Sequence, residues 1–252
     1  MTTRLSPAFM ASAGSKVGAK VSLTRRRPSS RIVQRVCKIL EANYGSPRLG
    51  NPQDPLDDLV YIVLSNRTAP KVAVANYKSV KERFPTWDHL LDSDPEVLRR
   101  LIEPGGLSAV KASQIRAAIS KIAADFGSST LNQLQSKSAN ESEKYLCSLP
   151  GVSKKVAKCI LMYTLGAQVL PVDVHVYRIT KRLGWATKNR ADQCHEQLEE
   201  LIPPDRRYNL HVDCIVHGRT VCRTRQPLCD ACCIRRYCEY SNNIYSPNHT
   251  RY

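Results

Sequence analysis

Apolar residues recur at three- and four-residue spacing along most of the chain, and short polar or glycine-containing breaks separate these runs. Such spacing is typical of amphipathic helices. The first run has Ser30 as a possible cap, Gly45 as its end and five apolar positions on one face, namely Ile32, Val33, Val36, Ile39 and Leu40. Similar runs predict further helical segments at 56–65, 70–84, from 95, 108–126, from 140, 153–165, 173–183 and 191–202.

Capping and breaking residues support these boundaries. Pro70 suits a first helical turn, Asp94 with Pro95 suits a helix start, and glycines follow several of the runs. Asn140 with Glu143 has the spacing of a capping box. The segment VDVHV, 172–176, alternates like a strand, but its position between helical runs favours a helix start capped by Asp173. The predicted fold is therefore all-α.

Charge narrows the choice of partners. The 252 residues carry a formal net charge of +16, and 42% of them are apolar, which is enough for a hydrophobic core. No apolar run approaches the ~18 residues of a membrane helix. A basic surface favours an acidic partner, with nucleic acid first and an anionic membrane second. Residues 1–30 read as a disordered basic arm, either a targeting peptide or a segment that contacts DNA.

Five of the ten cysteines lie within 17 residues near the C-terminus, whereas the other five lie singly in helical runs. The N-terminal segment lacks a compact apolar stretch, so we expect a reducing compartment and a metal site, not disulfides. Four cysteines have the spacing C-x6-C-x2-C-x5-C, namely Cys222, Cys229, Cys232 and Cys238. This pattern suits an iron–sulfur cluster slightly better than zinc, and Cys233 could replace Cys232 as a ligand.

The segment LPGVSKKVAKCI, 149–160, places a Pro-Gly turn between two predicted helices. Main-chain N–H groups of such a turn, with the following helix N-terminus, form an anion site that suits a DNA phosphate. Lys155 lies at this positive helix end and is flanked by Lys154 and Lys158. All three influences disfavour its protonated form, and a free amine is what a Schiff-base nucleophile requires. The ordinary alternative is a lysine that only contacts phosphate.

Asp173 follows Lys155 by 18 residues, at the predicted start of a helix. A carboxylate beside a nucleophile can stabilise an oxocarbenium ion that develops at a sugar carbon. The ordinary alternative is a residue that only caps its helix. The sequence thus predicts a possible catalytic pair, and each member has a structural explanation as well.

Taken in order, LPGVSKKVA, PVDVHVYRI and the cysteine spacing after HGRTVC closely resemble the endonuclease III family of helix–hairpin–helix DNA glycosylases, over roughly residues 31–240. The resemblance implies a six-helix domain with the hairpin at 57–167 and a [4Fe–4S] cluster domain built from 31–56 and 168–240, with a tail at 241–252. It also implies that double-stranded DNA with damaged bases or abasic sites lies in the cleft between the domains. We expect a monomer that acts on DNA inside the cell and does not contact a membrane.

The resemblance also implies roles for individual residues. Lys155 would attack C1′ of the damaged nucleotide and form a Schiff base that permits strand cleavage by β-elimination, and Asp173 would assist departure of the base. The implied cluster ligands are the four spaced cysteines. The implied DNA contacts are Gly151, Val152, Ser153, Lys154, His175 and Arg178, the last two of which could instead orient their helix.

Two positions depart from the family pattern. The family usually has LSxQ in the first buried helix, whereas this chain reads LSNRT, with Asn66 and Arg67 at the place of the residue that fills the space of the flipped base. The usual hairpin glycine is Ser153, which we expect to be strained or to alter the turn. The expected substrate is an oxidised pyrimidine. Alternatives are mismatched thymine, uracil or an oxidised purine with the same chemistry, a non-catalytic iron–sulfur protein that binds DNA, and a DNA-binding zinc module.

Overall fold

The computed structural model describes residues 27–244, and this part of the chain contains twelve α-helices, several short 3-10 turns and no strand. The predicted all-α fold is therefore confirmed for these residues. The helices are α1 Ser30–Tyr44, α2 Pro55–Ser65, α3 Pro70–Arg83, α4 Trp87–Asp92, α5 Pro95–Leu101, α6 Ser108–Phe126, α7 Ala139–Ser148, α8 Lys154–Tyr163, α9 Val174–Arg182, α10 His195–Leu201, α11 Arg207–Thr220 and α12 Glu239–Ile244. Most of the predicted arm at 1–30 and of the tail at 241–252 lies outside the described residues.

Local capping residues fix most of the helix ends. The side chain of Asp54 accepts from the first turn of α2, Asp94 does the same for α5, and Asp173 does so for α9. Two cap predictions were wrong. The cap of α1 is Ser29 and not Ser30. The capping box of α7 pairs Ser138 with Glu141, not Asn140 with Glu143, because Ser138 has the extended backbone that a cap requires and both reciprocal bonds form there.

Buried apolar residues form two clusters. The first cluster contains residues from Leu56 to Val169, which belong to helices α2 through α8 and the segments around them. The second cluster contains residues of α1 together with residues from Leu170 to Ile234. The N-terminal helix thus packs against the C-terminal third of the chain. The domain boundaries implied by the family resemblance stay a prediction, because two clusters in one chain do not establish two independently folding units. Within residues 27–244, no helix is long and apolar enough to cross a membrane.

Helix α11 lies at the centre of the second cluster and was not predicted. It packs against both α1 and α9. Leu210 and Cys214 are buried, and so are the polar residues His211, Asp213 and His217. Because α11 is covered on several sides and buries polar side chains among apolar ones, its sequence has no amphipathic pattern that could reveal it.

Candidate active site

A cleft of about 740 Å³ contains both members of the predicted catalytic pair. Its walls come from the C-terminal end of α2, the start of α6, the start of α8, the segment before α9, and α11. Lys155 and Asp173 both line the cleft, with Cys159, Tyr163 and His211 beside them. The cleft therefore lies where residues of the two apolar clusters meet.

The hairpin between α7 and α8 places Lys155 in the first turn of α8. Gly151 has φ +76°, a conformation that is unfavourable for other residues, and a Cβ there would also lie 2.6 Å from the Gln114 side chain. Ser153 has an ordinary extended backbone and its hydroxyl accepts from Val156 N, so it caps α8. The expected strain at Ser153 is therefore absent, because the cap position does not require a left-handed conformation.

The hairpin leaves some of its main-chain donors available. Val152 N donates to Leu149 O at 3.2 Å, which closes the turn, and its phosphate contact stays a prediction. Within the described residues, the N–H groups of Gly151 and Ser153 donate to no acceptor. They lie at the positive end of α8, where an anion is favoured. These two groups are available to an anion, and their role as phosphate ligands stays a prediction.

Acidic partners neutralise two of the three lysines of α8. Lys158 is 3% exposed, and its ammonium contacts Glu199 at 2.7 Å and Glu143 at 3.0 Å. Lys154 pairs with Glu196 and lies 3.7 Å from Glu143. The prediction that both charges act on Lys155 needs correction, since each is largely compensated. The predicted DNA contact of Lys154 is weakened for the same reason.

Lys155 differs from both neighbours in its surroundings. It is half-buried, it faces the cleft, and its Nζ forms no ion pair with a carboxylate in the described part of the chain. The Cys159 thiol lies beside it, and burial raises the pKa of that thiol to about 11. Cys159 is therefore a neutral thiol at neutral pH, which leaves the Lys155 amine as the candidate nucleophile of this wall.

Asp173 faces the cleft from the opposite wall. Its Oδ1 accepts from His175 N at 2.9 Å and from Val176 N at 2.8 Å, whereas its Oδ2 accepts from no donor in residues 27–244. The charges of Lys155 and Asp173 both act on Cys159 and on His211, which places the two groups in one electrostatic neighbourhood. Asp173 thus combines its capping role with a carboxylate oxygen that is free to act in the cleft.

A buried tyrosine–histidine pair supports the segment that leads to Asp173. His211 is fully buried, and burial lowers its pKa, so the imidazole is neutral. Its Nδ1 donates to Pro171 O at 2.9 Å, and its Nε2 accepts from the Tyr163 hydroxyl at 2.8 Å. Because Tyr163 belongs to α8 and Pro171 precedes Asp173 by two residues, the pair fixes the two walls relative to each other. Sequence reasoning did not identify either residue.

Asp58 is a second carboxyl group near Lys155. It lies on α2, is fully buried and accepts a 2.6 Å hydrogen bond from Asn51. Its Oδ2 has no hydrogen-bond partner. Burial raises the pKa of Asp58 to about 7, although the bond from Asn51 and the charge of Lys155 lower it in part. Asp58 therefore titrates near neutral pH.

Arg178 makes internal contacts that favour its alternative predicted role, which is to orient its helix. Its guanidinium donates to Cys222 O and Gly218 O, both at 2.8 Å, and contacts His175 Nδ1 at 3.0 Å. A Cβ on Gly218 would lie 2.5 Å from His175, so a glycine is needed where α9 and α11 meet. These bonds use Nε and Nη2 of the guanidinium, and the phosphate contact of Arg178 stays a prediction. His175 lines the cleft, and its DNA contact stays a prediction.

Two turns at the mouth of the cleft expose side chains toward its opening. Asn66 and Arg67 lie on the turn after α2, and Leu107, which is 54% exposed, lies on the turn before α6. Arg67 has φ +54° and Leu107 has φ +55°, which is a costly conformation for residues other than glycine. Leu107 and the exposed Arg219 were not predicted, although an apolar residue directly after Gly105-Gly106 was a usable signal.

The cysteine loop fits the cluster that the family implies. Four thiols line one cavity, those of Cys222, Cys229, Cys232 and Cys238, and Cys233 is not among its walls. A set of four thiols suits either a [4Fe–4S] cluster or zinc. Within residues 27–244, no three His, Cys, Asp or Glu side chains are already grouped as ligands of one ion. The donor set of four thiols around one cavity fits the cluster.

Basic side chains surround this loop. Arg182 donates to Cys222 Sγ at 3.1 Å and to the main-chain oxygens of Arg223 and Thr224. A guanidinium at this distance stabilises a thiolate, which is the form that binds metal. Together with Arg178, it ties the cysteine loop to α9, the helix that Asp173 caps.

Residues 60–204 match the family model described as HhH-GPD superfamily base excision DNA repair protein. An endonuclease III of Rickettsia felis is 30% identical over 215 residues, which are 85% of this chain and 97% of that relative. An endonuclease III of Thermotoga maritima is 31% identical over 195 residues, or 77% and 87% of the two chains. A solved non-covalent endonuclease III–DNA complex superposes with a TM-score of 0.76 at 21% identity and covers 86% of this chain and 98% of its own.

Proposed function

Because this chain belongs to the HhH-GPD superfamily of base excision DNA repair proteins and, within it, to the endonuclease III family, we propose that it is a DNA glycosylase with abasic-site lyase activity. The observation that carries the proposal is the placement of Lys155 and Asp173 in one cleft, where, within the described residues, the Lys155 amine forms no ion pair and Asp173 Oδ2 accepts from no donor. Oxidised pyrimidines in double-stranded DNA are the proposed substrates, as the family resemblance implies.

Lys155 is the proposed nucleophile. Its Nζ attacks C1′ of the flipped nucleotide, a C–N bond forms, and the bond from C1′ to the base breaks, so the base leaves with the electron pair and takes up a proton. Ring opening then gives an imine between Nζ and C1′. Loss of a proton from C2′ and cleavage of the C3′–O bond follow, which nicks the strand. The reaction needs an amine without a competing ion pair, and Lys155 is the lysine of α8 that meets this condition.

Asp173 is the proposed electrostatic and proton-handling partner. Its main-chain hydrogen bonds fix Oδ1, while Oδ2 stays free to face positive charge that develops at C1′. The Tyr163–His211 pair holds the preceding segment through Pro171 O, so the carboxylate is positioned before DNA binds. His211 and Tyr163 are therefore proposed as positioning residues and not as catalytic ones.

DNA recognition is proposed to use three parts of the cleft. The free N–H groups of Gly151 and Ser153 would bind a phosphate at the N-terminus of α8. The exposed Arg219 adds positive charge to the opposite wall. Arg67 and Leu107 at the mouth would enter the base stack and fill the space that the flipped nucleotide leaves, as exposed wedge residues do in other DNA-bending proteins.

Four cysteines are proposed as the cluster ligands, namely Cys222, Cys229, Cys232 and Cys238. A bound [4Fe–4S] cluster would cross-link the loop and contribute its binding energy to folding. The support is their shared cavity and the bond from Arg182 to Cys222 Sγ. Cys233 is proposed to be a spare thiol.

The experiment that tests the activity is strand cleavage of end-labelled duplexes, each with one modified base. The four duplexes carry an oxidised thymine, a mismatched thymine, a uracil or an oxidised guanine, and they separate the proposed substrate from its alternatives. These alternatives stay open because the exposed Arg67 replaces the residue that the family usually has at this place. Cleavage of the oxidised-thymine duplex without added alkali is the expected result. Binding of all four duplexes without release of any base would refute the proposed enzyme.

A further inference from the structure

Arg67 and Leu107 both have left-handed backbones, and neither conformation is intrinsically favourable. Each residue is exposed, so no burial of its own side chain compensates for the strain. The surrounding structure must therefore hold both turns in place. The buried residues beneath the two turns show how this is done.

Lys111 on α6 lies between the two turns and is 4% exposed. Its ammonium donates to Leu64 O at 3.0 Å, to Gly105 O at 3.3 Å and to Thr68 Oγ1 at 2.6 Å. Within the described residues, it forms no ion pair with a carboxylate, in contrast to the buried Lys158. Burial lowers the pKa of Lys111, and the three oxygens are its compensation.

Thr68 completes a closed set of hydrogen bonds. Its hydroxyl donates to Gly105 O at 2.8 Å, although the two residues are 37 positions apart, and its oxygen accepts from Lys111. Leu64 and Thr68 flank the Arg67 turn, and Gly105 lies two residues before Leu107. The three groups Lys111, Thr68 and Gly105 O therefore join one turn to the other below the mouth of the cleft, and we name them the bridging triangle.

We propose that the bridging triangle couples the two turns, so that Arg67 and Leu107 enter the DNA as one unit. This inference rests on the proposed function, in which both residues replace the flipped nucleotide. Lys111 and Thr68 act through the turns and do not touch the reacting atoms, so they are positioning residues. Groups that act as a unit show non-additive losses when they are removed one by one.

The test is a double-mutant cycle of Arg67→Ala and Leu107→Ala, measured twice, in the natural background and in Thr68→Val. The readout is the single-turnover rate of base excision from a lesion duplex. Each single change should slow excision on the order of tenfold, because each removes one side chain that holds the space of the flipped nucleotide. In the natural background the double variant should be no slower than the slower single variant. Thr68→Val keeps the shape of the side chain and removes its hydroxyl. In this background the rate reductions caused by the two single changes should multiply.

Three further variants keep the result interpretable. Thr68→Ser retains the hydroxyl and should restore the non-additive pattern. Thr180→Val is the matched control, because the Thr180 hydroxyl is also buried and donates to a main-chain oxygen, Val176 O at 2.7 Å, but Thr180 lies on α9, whose apolar residues belong to the second cluster. It should leave the cycle unchanged. If Thr68→Val does not fold by circular dichroism, Lys111→Met replaces it in the same cycle.

The inference would be overturned if the rate reductions caused by Arg67→Ala and Leu107→Ala multiply in the natural background. It would also be overturned if the non-additive pattern persists in Thr68→Val. The same cycle in equilibrium binding of the lesion duplex, followed by fluorescence anisotropy, needs no chemistry. A natural chain that releases no base but gives the predicted binding cycle would refute the proposed activity and retain the coupling. A chain that excises the base but shows independent turns would retain the activity and refute the coupling.

Discussion

Replacement of Asp58 by asparagine is expected to stabilise the fold above neutral pH. Asp58 is fully buried on α2, and one of its oxygens has no hydrogen-bond partner. Asparagine keeps the acceptor for Asn51 Nδ2 and removes the charge that burial makes costly. The charge of Lys155 offsets only part of this cost, because the pKa of Asp58 remains raised.

The magnitude follows from the pKa of Asp58, which burial raises from its usual 3.8 to about 7. Between these values the folded state holds a proton that the unfolded state has lost. The stability that the protonated Asp58 carboxyl contributes is therefore fully present below the pKa of Asp58 in the unfolded state, and it is lost as pH rises through about 7. At ~1.4 kcal/mol per pKa unit, the raised pKa lowers the stability, relative to strongly acidic pH, by ~2 kcal/mol at about pH 5 and by ~4 kcal/mol at about pH 8. The pH-dependent part of the effect of Asp58→Asn is thus ~2–3 kcal/mol.

Urea unfolding of both proteins, followed by far-UV circular dichroism at about pH 5 and about pH 8, measures this difference directly. The neighbouring Asp57→Asn is the control, because Asp57 accepts from Tyr77, Lys81 and Trp87. That variant should lose stability at both pH values, since it disrupts a well-bonded carboxylate. The reasoning would be refuted if the free energy of unfolding of Asp58→Asn differs from that of the natural chain by the same amount at both pH values.

Three further predictions concern the cluster loop and the buried lysine. Cys232→Ser should lose the brown absorbance of an iron–sulfur cluster and Cys233→Ser should keep it; the reverse result would exchange their roles. Lys158→Met should cost about 3 kcal/mol in urea unfolding, because it leaves two partly buried carboxylates without their shared cation, and an unchanged midpoint would contradict this. Arg178→Met should lower the iron content per chain through loss of its bond to Cys222 O, and full occupancy in the purified variant would exclude that role.

Several helix ends and the hairpin could be predicted because their signals are local. Asp94 and Asp173 cap helices as their spacing indicated, and Lys155 lies in the first turn of α8. The resemblance to the endonuclease III family, which rests on ordered motifs, is confirmed by the relatives. Local side-chain chemistry and motif order were therefore sufficient for the fold class and for the catalytic hypothesis.

Contacts between distant parts of the chain could not be predicted in the same way. The sequence places Lys154 and Lys158 beside Lys155, but their acidic partners come from α7 and α10 and change the electrostatic argument. The Arg178 guanidinium donates to Cys222 O and Gly218 O, which lie about forty positions away along the chain. No local sequence pattern reveals such contacts. Helix α11 escaped detection because it is buried on several sides, so polar and apolar positions do not alternate along it.

The central claim is that Lys155 forms a Schiff base with an abasic deoxyribose. Borohydride trapping on a duplex with one abasic site tests it, with the natural chain, Lys155→Gln and Lys154→Gln compared under identical conditions. Lys154 is the matched control because it is the adjacent lysine and pairs with Glu196. The account predicts a covalent protein–DNA adduct for the natural chain and for Lys154→Gln, and none for Lys155→Gln. A natural chain that binds the duplex but forms no adduct, or an adduct that persists in Lys155→Gln, would contradict it.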